Sequence, residues 1–219
     1  MTQSGLDIER RDSTVMINHA LDWIEAGHEV SLATVVSTWG SSPRPVGSQL
    51  LIRDDNLFEG SVSGGCIEGE VVTEALAAIR NNTTATLDFG ISDENAWSAG
   101  LACGGQVKVF VQKVSSGLQG VLAELQAARD ANKAVAFLIN LETGATSSHV
   151  RGPETSEELN RRFIRDQSGM LESEEVGETF VRIFNPPLRM LIVGAVHIAQ
   201  ALHQLEIQRR QFQLVNLDF

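Results

Sequence analysis

Cysteine is scarce: only Cys66 and Cys103 occur in 219 residues, too few for the disulfide framework of a small secreted domain. Long apolar runs are missing as well. The most apolar stretch, Leu188 to Leu202, is broken by Arg189 and His197. It falls short of the roughly 18 or more clean apolar residues that a membrane span needs. Positive charge is in deficit, with 17 Lys and Arg against 28 Asp and Glu and a formal net charge of -11. A nucleic-acid binder that neutralises phosphates runs the other way, so that class is disfavoured. The polar opening MTQSGLDIERRD is no secretory leader, and the expected location is the cytoplasm. There is no Walker loop, HExxH, CxxC or close histidine–carboxylate cluster, which argues against an ATPase, a zinc peptidase or a thioredoxin-type enzyme.

What is present is ordinary globular composition, 42% hydrophobic and 21% charged, enough for one large domain or two small ones. Val15, Ile17, Ala20, Leu21 and Ile24 share one face of a helix expected over Thr14 to Ala26. Strands are expected at Val30–Ser37, Gln49–Arg53, Leu57–Ser61, Thr83–Phe89, Gln106–Val114, Ala134–Asn140 and Phe180–Phe184. Helices are expected at Ile67–Arg80, Gly117–Arg129 and Glu154–Arg165. Asn185-Pro186-Pro187 marks a boundary, because consecutive prolines end the structure before them. Beyond it lies a β-α-β pattern: strand Leu188–Val193, helix Ala195–Ile207, strand Gln213–Leu217. The predicted fold class is α/β, with a mixed-sheet domain over 1–185 and a partial, truncated Rossmann-like unit over 186–219.

Three glycine-rich loops could carry chemistry. In Ser63-Gly64-Gly65-Cys66-Ile67-Glu68 the adjacent glycines can turn backbone amides toward an anion. Cys66 falls at a helix start, where the dipole favours thiolate. Glu68 and Glu70 oppose that charge while suiting the helix start. Gly100-Leu101-Ala102-Cys103-Gly104-Gly105 echoes the first loop. A thiolate can hold a soft metal, carry sulfur or attack an electrophile; equally, both cysteines could be small core residues. In Gly40-Ser41-Ser42-Pro43-Arg44-Pro45-Val46-Gly47 the prolines hold Arg44 as a fork for phosphate or carboxylate, or Arg44 is a solvated loop residue. Trp39 and Trp97 can stack on a heterocycle or simply pack. Gly194-Ala195-Val196-His197-Ile198-Ala199 is a dinucleotide fingerprint with Val196 where its second glycine belongs, and Asp218 stands where a ribose-binding acid would. NAD(P) binding is therefore disfavoured against structural packing.

Together, these loops, in the order Gly40–Gly47, Gly60–Glu68, Gly100–Gly105, Pro186-Pro187 and the Gly194–Ala199 turn, resemble the XdhC/CoxI (CoxF) family of xanthine and carbon monoxide dehydrogenase maturation factors. The likeness runs from about Ala20 to the chain end. It implies a molybdenum cofactor (molybdopterin) chaperone rather than a turnover enzyme. Such a protein shields the cofactor, supports its sulfuration by a cysteine desulfurase and inserts it into an apo-molybdenum hydroxylase. The implied site comprises Cys66 and Cys103 toward the metal, with Arg44, Ser63, Gly64, Gly65, Gly104, Gly105 and Gly194 toward the rest of the cofactor. The competing readings are an NAD(P)-dependent oxidoreductase and a non-catalytic scaffold for dehydrogenase assembly. The pattern ends after one β-α-β unit at Phe219, and an uncovered edge strand there predicts a homodimer.

Overall fold

The computed structural model describes residues 15–90, 105–171 and 177–186. The chain divides into two compact units, Met1–Phe184 and Asn185–Phe219, and every element described here belongs to the first. The β-α-β unit expected within 186–219, with Gly194, Val196, His197 and Asp218, lies outside the described residues.

A helix, α1 (15–25), leads into β1 (Val30–Trp39), a β-branched run that forms the longest strand among the described residues. Then follow β2 (Gln49–Arg53), β3 (Phe58–Gly60), the helix α2 (Glu68–Asn81), β4 (Thr84–Phe89) and β5 (Gln106–Lys113). These five strands form one sheet in the order β3-β2-β1-β5-β4, antiparallel at every pairing. Next come α3 (Ser116–Asp130), β6 (Val135–Asn140), β7 (Thr146–Val150), α4 (Glu157–Arg165), β8 (Gly169–Met170) and β9 (Thr179–Phe184). Their strands make a second sheet, β7-β6-β9-β8, again antiparallel throughout.

Alternation along the strands sorts the side chains into three cores. Val107, Val109 and Val111 of β5, with Ala33 and Val35 of β1, face α2, which answers with Val71, Ala75 and Ala78. The spacing of those three helix positions puts them on one stripe. Phe110 of β5 and Val30, Leu32 and Val36 of β1 face the other way. They share a core with α1, α3 and the inner face of the second sheet, including Phe137, Ile139 and Phe180. Ala136, Val181 and Ile183 cover that sheet's outer face together with Leu159 and Phe163 of α4.

The expectation of an α/β chain holds, and the strand arrangement is more specific than expected. Among the described residues both sheets are antiparallel, in place of a mixed sheet. The chain reverses through tight hairpins such as Asp54–Leu57, and the β3–α2–β4 crossover joins the two opposite edges, not neighbouring strands. Strands β7 and β8 were not foreseen. The sequence of β7, Thr-Ser-Ser-His-Val, has no apolar alternation because it is a half-exposed edge strand, and β8 has two residues. Helix α4 starts later than expected, where the Ser156 hydroxyl accepts the Leu159 amide as a cap. No helix among the described residues is long and apolar enough to cross a membrane.

The register gathers three connections at one end of the first sheet. β1, β3 and β4 run one way and β2 and β5 the other, so Trp39 pairs with Gln106, Leu50 with Gly60, and Phe89 with Val107. The β1–β2, β3–α2 and β4–β5 connections therefore all leave from the same end. The opposite end is closed by charged pairs. His28 meets Asp54 at 2.9 Å, Arg53 meets Asp55 at 2.7 Å, and Lys113 pairs with Glu29. The Glu29 amide and the nearby His28 hold the Asp54 carboxyl below its usual range.

Candidate functional site

The β1–β2 connection is pinned at both feet. The Gly47 amide donates to the Val35 carbonyl at 2.8 Å, the Val35 amide to the Ser48 carbonyl at 2.8 Å, and the Ser48 amide to the Pro45 carbonyl at 3.1 Å. Inside it, the Ser42 hydroxyl donates to the Arg44 carbonyl at 2.7 Å. Arg44 is half-buried. Its Nε is shielded from solvent and has no hydrogen-bond partner among the described residues.

Two neighbours flank this loop. A Cβ on Gly64 would sit 3.7 Å from the Pro43 Cβ, in ordinary contact. A Cβ on Gly105 would overlap the Ser41 carbonyl, so only glycine lets the start of β5 approach that closely. The structure thus brings Gly64 and Gly105, from two different glycine-rich loops, onto the same Ser41–Pro43 segment. Cys103, Gly104 and Trp97 lie outside the described residues.

The Ser61–Ile67 loop is built around Glu68, which the sequence marked only as suiting the helix start and opposing charge on Cys66. The Glu68 carboxylate, 8% exposed, accepts six hydrogen bonds. Oε1 takes the Ser61 hydroxyl (2.7 Å) and the amides of Val62 (3.2 Å), Ser63 (2.9 Å) and Gly64 (3.1 Å). Oε2 takes the Ser63 hydroxyl and the Gly65 amide (2.8 Å). Gly64 and Gly65 have φ of 81° and 113°, which turns their amides inward at no steric cost. Burial opposes charge on Glu68, but hydrogen bonds from Ser63 and Ser61 outweigh it and pull the carboxyl down to about 2 from 4.5.

The expected cradle at Gly64 and Gly65 has an internal acceptor. The amides do form a nest, but the chain's own carboxylate fills it. Ser63 is likewise committed, as its hydroxyl donates to Glu68 and accepts the Cys66 and Ile67 amides, each at 3.0 Å. Cys66 itself is a free, exposed thiol just ahead of α2. That removes the alternative of a small core residue at this position. No group of three or more His, Cys, Asp or Glu able to hold a metal occurs among the described residues.

Beneath the β1–β2 loop lies a second feature missed in the sequence. Gln49 donates to the Thr34 hydroxyl at 3.2 Å and accepts from the buried Arg182 guanidinium of β9. A Cβ on Gly47 would come within 3.7 Å of the Arg182 Cγ. The only sequence signal was a polar residue interrupting each strand's apolar pattern. Trp39 is 67% exposed and belongs to no core.

Residues 23–90 match the XdhC and CoxI family. That segment holds the Gly40–Gly47 and Ser61–Glu68 loops and ends just after β4. The chain is 30% identical over 115 residues to the molybdenum cofactor insertion chaperone PaoD of Escherichia coli (strain K12), covering 52% of this chain and 35% of PaoD. It is 28% identical over 123 residues to a probable xanthine dehydrogenase subunit of Bacillus subtilis (strain 168), covering 55% of this chain and 37% of that protein. Little more than a third of either relative is therefore matched. A crystal structure described as a xanthine dehydrogenase from Bacillus halodurans superimposes with a TM-score of 0.60 over 91% of this chain and 61% of its own, at 21% identity. That likeness establishes the fold.

Proposed function

We propose that this chain binds the molybdenum cofactor as cargo at the loop-bearing end of its first sheet. It then delivers the cofactor to an apo-molybdenum hydroxylase of the xanthine dehydrogenase type. The observation that carries the reading is the convergence of Gly64 and Gly105 on Ser41–Pro43. The XdhC/CoxI segment and the role of PaoD, insertion of the molybdenum cofactor, support it.

The residues present fit such a cargo. Cys66 offers an exposed sulfur, soft enough for molybdenum once deprotonated. Cys103, two residues before Gly105 in the sequence, is assigned the same role from the other loop. Arg44 takes the anionic phosphate end, since its shielded Nε needs an acceptor. Gly104 stays assigned to the cofactor; Gly105 acts by close packing. Gly64, Gly65 and Ser63 shape the loop and do not touch the anion. When bound, the cargo supplies a metal centre on a pterin. The chain itself holds that group by its thiolates and guanidinium and keeps water from it. Sulfuration with a cysteine desulfurase partner, a homodimer and a cytoplasmic location complete the reading.

Metal and pterin analysis after anaerobic purification from a cofactor-producing host tests this. Wild type retains molybdenum and pterin in near-equal amounts. The Cys66→Ser, Cys103→Ser double variant loses at least tenfold of the molybdenum, and Arg44→Ala loses pterin. A double variant that keeps its full load and still activates an apo-hydroxylase sinks the assignment.

A further inference from the structure

Glu68 reaches Cys66 through one intermediary. Its Oε2 accepts a hydrogen bond from the Ser63 hydroxyl, and both lone pairs of that hydroxyl accept the Cys66 and Ile67 amides. Every hydrogen-bonding site of the Ser63 side chain is thereby used. The same carboxylate collects the amides of residues 62–65, so the backbone on the N-terminal side of Cys66 closes around a single charge. Its position at the start of α2 also suits a negative group.

We infer that Glu68 is a positioning residue for Cys66, acting as a built-in anion that folds the loop, with Ser63 as the relay that fixes the sulfur-bearing residue. The loop then presents a single thiol, that of Cys66. Its amides stay closed to external phosphate, which leaves anion recognition to Arg44. The inference rests on the proposed function for its purpose but not for its geometry.

The test uses the full chain in a Cys103→Ser background, so that Cys66 is its one thiol, and follows alkylation by iodoacetamide alongside thermal unfolding. In Ser63→Ala the carboxylate keeps its amide bonds and the relay alone is cut; the Cys66 alkylation rate changes at least threefold. Glu68→Ala gives a change at least as large, and formate added at about 100 mM returns the rate toward wild type by refilling the nest. Inorganic phosphate leaves the wild-type rate unaltered. Rates within 1.5-fold of wild type in folded Ser63→Ala overturn the inference, as does phosphate slowing alkylation of the wild type. If Glu68→Ala does not fold, Ser63→Ala decides alone. Failure of the wild type to retain molybdopterin overturns the cargo reading instead, and leaves the dependence of Cys66 on Glu68 and Ser63 standing.

Discussion

At the scale of single residues, Glu68 is the strongest constraint on the site, because one carboxylate satisfies donors from five consecutive residues. Its pKa of about 2 lies below the ordinary 4.5. Its contribution to stability is therefore fully present above about pH 4.5 and is lost as pH falls toward 2. Glu68→Gln cannot titrate, so it costs about 1–3 kcal/mol near neutral pH. The gap between wild type and variant narrows steadily from pH 4.5 to 2 in denaturant titrations; a gap independent of pH in that window contradicts the assignment. The sequence pointed to Ser63-Gly64-Gly65-Cys66 as a shaped loop, and the turn geometry follows from its glycines. The partner of the amides was not legible. Deciding whether a nest takes a ligand or a neighbouring side chain depends on where Glu68 points once α2 starts, and residue types alone do not specify that. Arg44 was legible as a held guanidinium, while the shielding of its Nε depends on packing.

At the scale of elements, β1, β2, β4, β5, α2 and α3 were readable because each combines apolar periodicity with punctuation by glycine, asparagine or serine. Strand β7 was hidden by its polar, half-exposed sequence, and the buried Thr34–Gln49–Arg182 link was hidden because its partners come from different sheets. Helix α2 shows how tightly the elements fit. Ala75 and Ala78 are fully buried against the first sheet, small enough to bring the helix backbone near β5. Ala75→Leu inserts volume where none is free, and costs about 1–3 kcal/mol. Ala75→Ser, of nearly the same size, is milder, and thermal unfolding separates the two. Equal stability of Ala75→Leu and wild type would show that the helix floats on the sheet.

At the scale of the molecule, the two sheets of the first unit share one core. Phe110 and Leu32 of one sheet and Phe137 and Phe180 of the other belong to the same cluster, with α1 and α3 closing it. Neither sheet can lose its inner face without exposing the other. Far-ultraviolet dichroism and tryptophan fluorescence should therefore report one coincident denaturant transition for this unit. Phe137→Ala, at about 3–5 kcal/mol, should move both signals together, and separate midpoints would break the single-core description. That common core also fixes the end of the first sheet from which the loops spring.

The far end of that sheet has the complementary character. The Asp54–Leu57 turn, held by Arg53, His28 and the Glu29 amide, sits a full strand length from the loops, and Leu57 stands exposed in it. A dye or surface tether attached at Leu57 stands a strand length from those loops, so the proposed freight can be sought on an immobilised molecule without obstructing the berth.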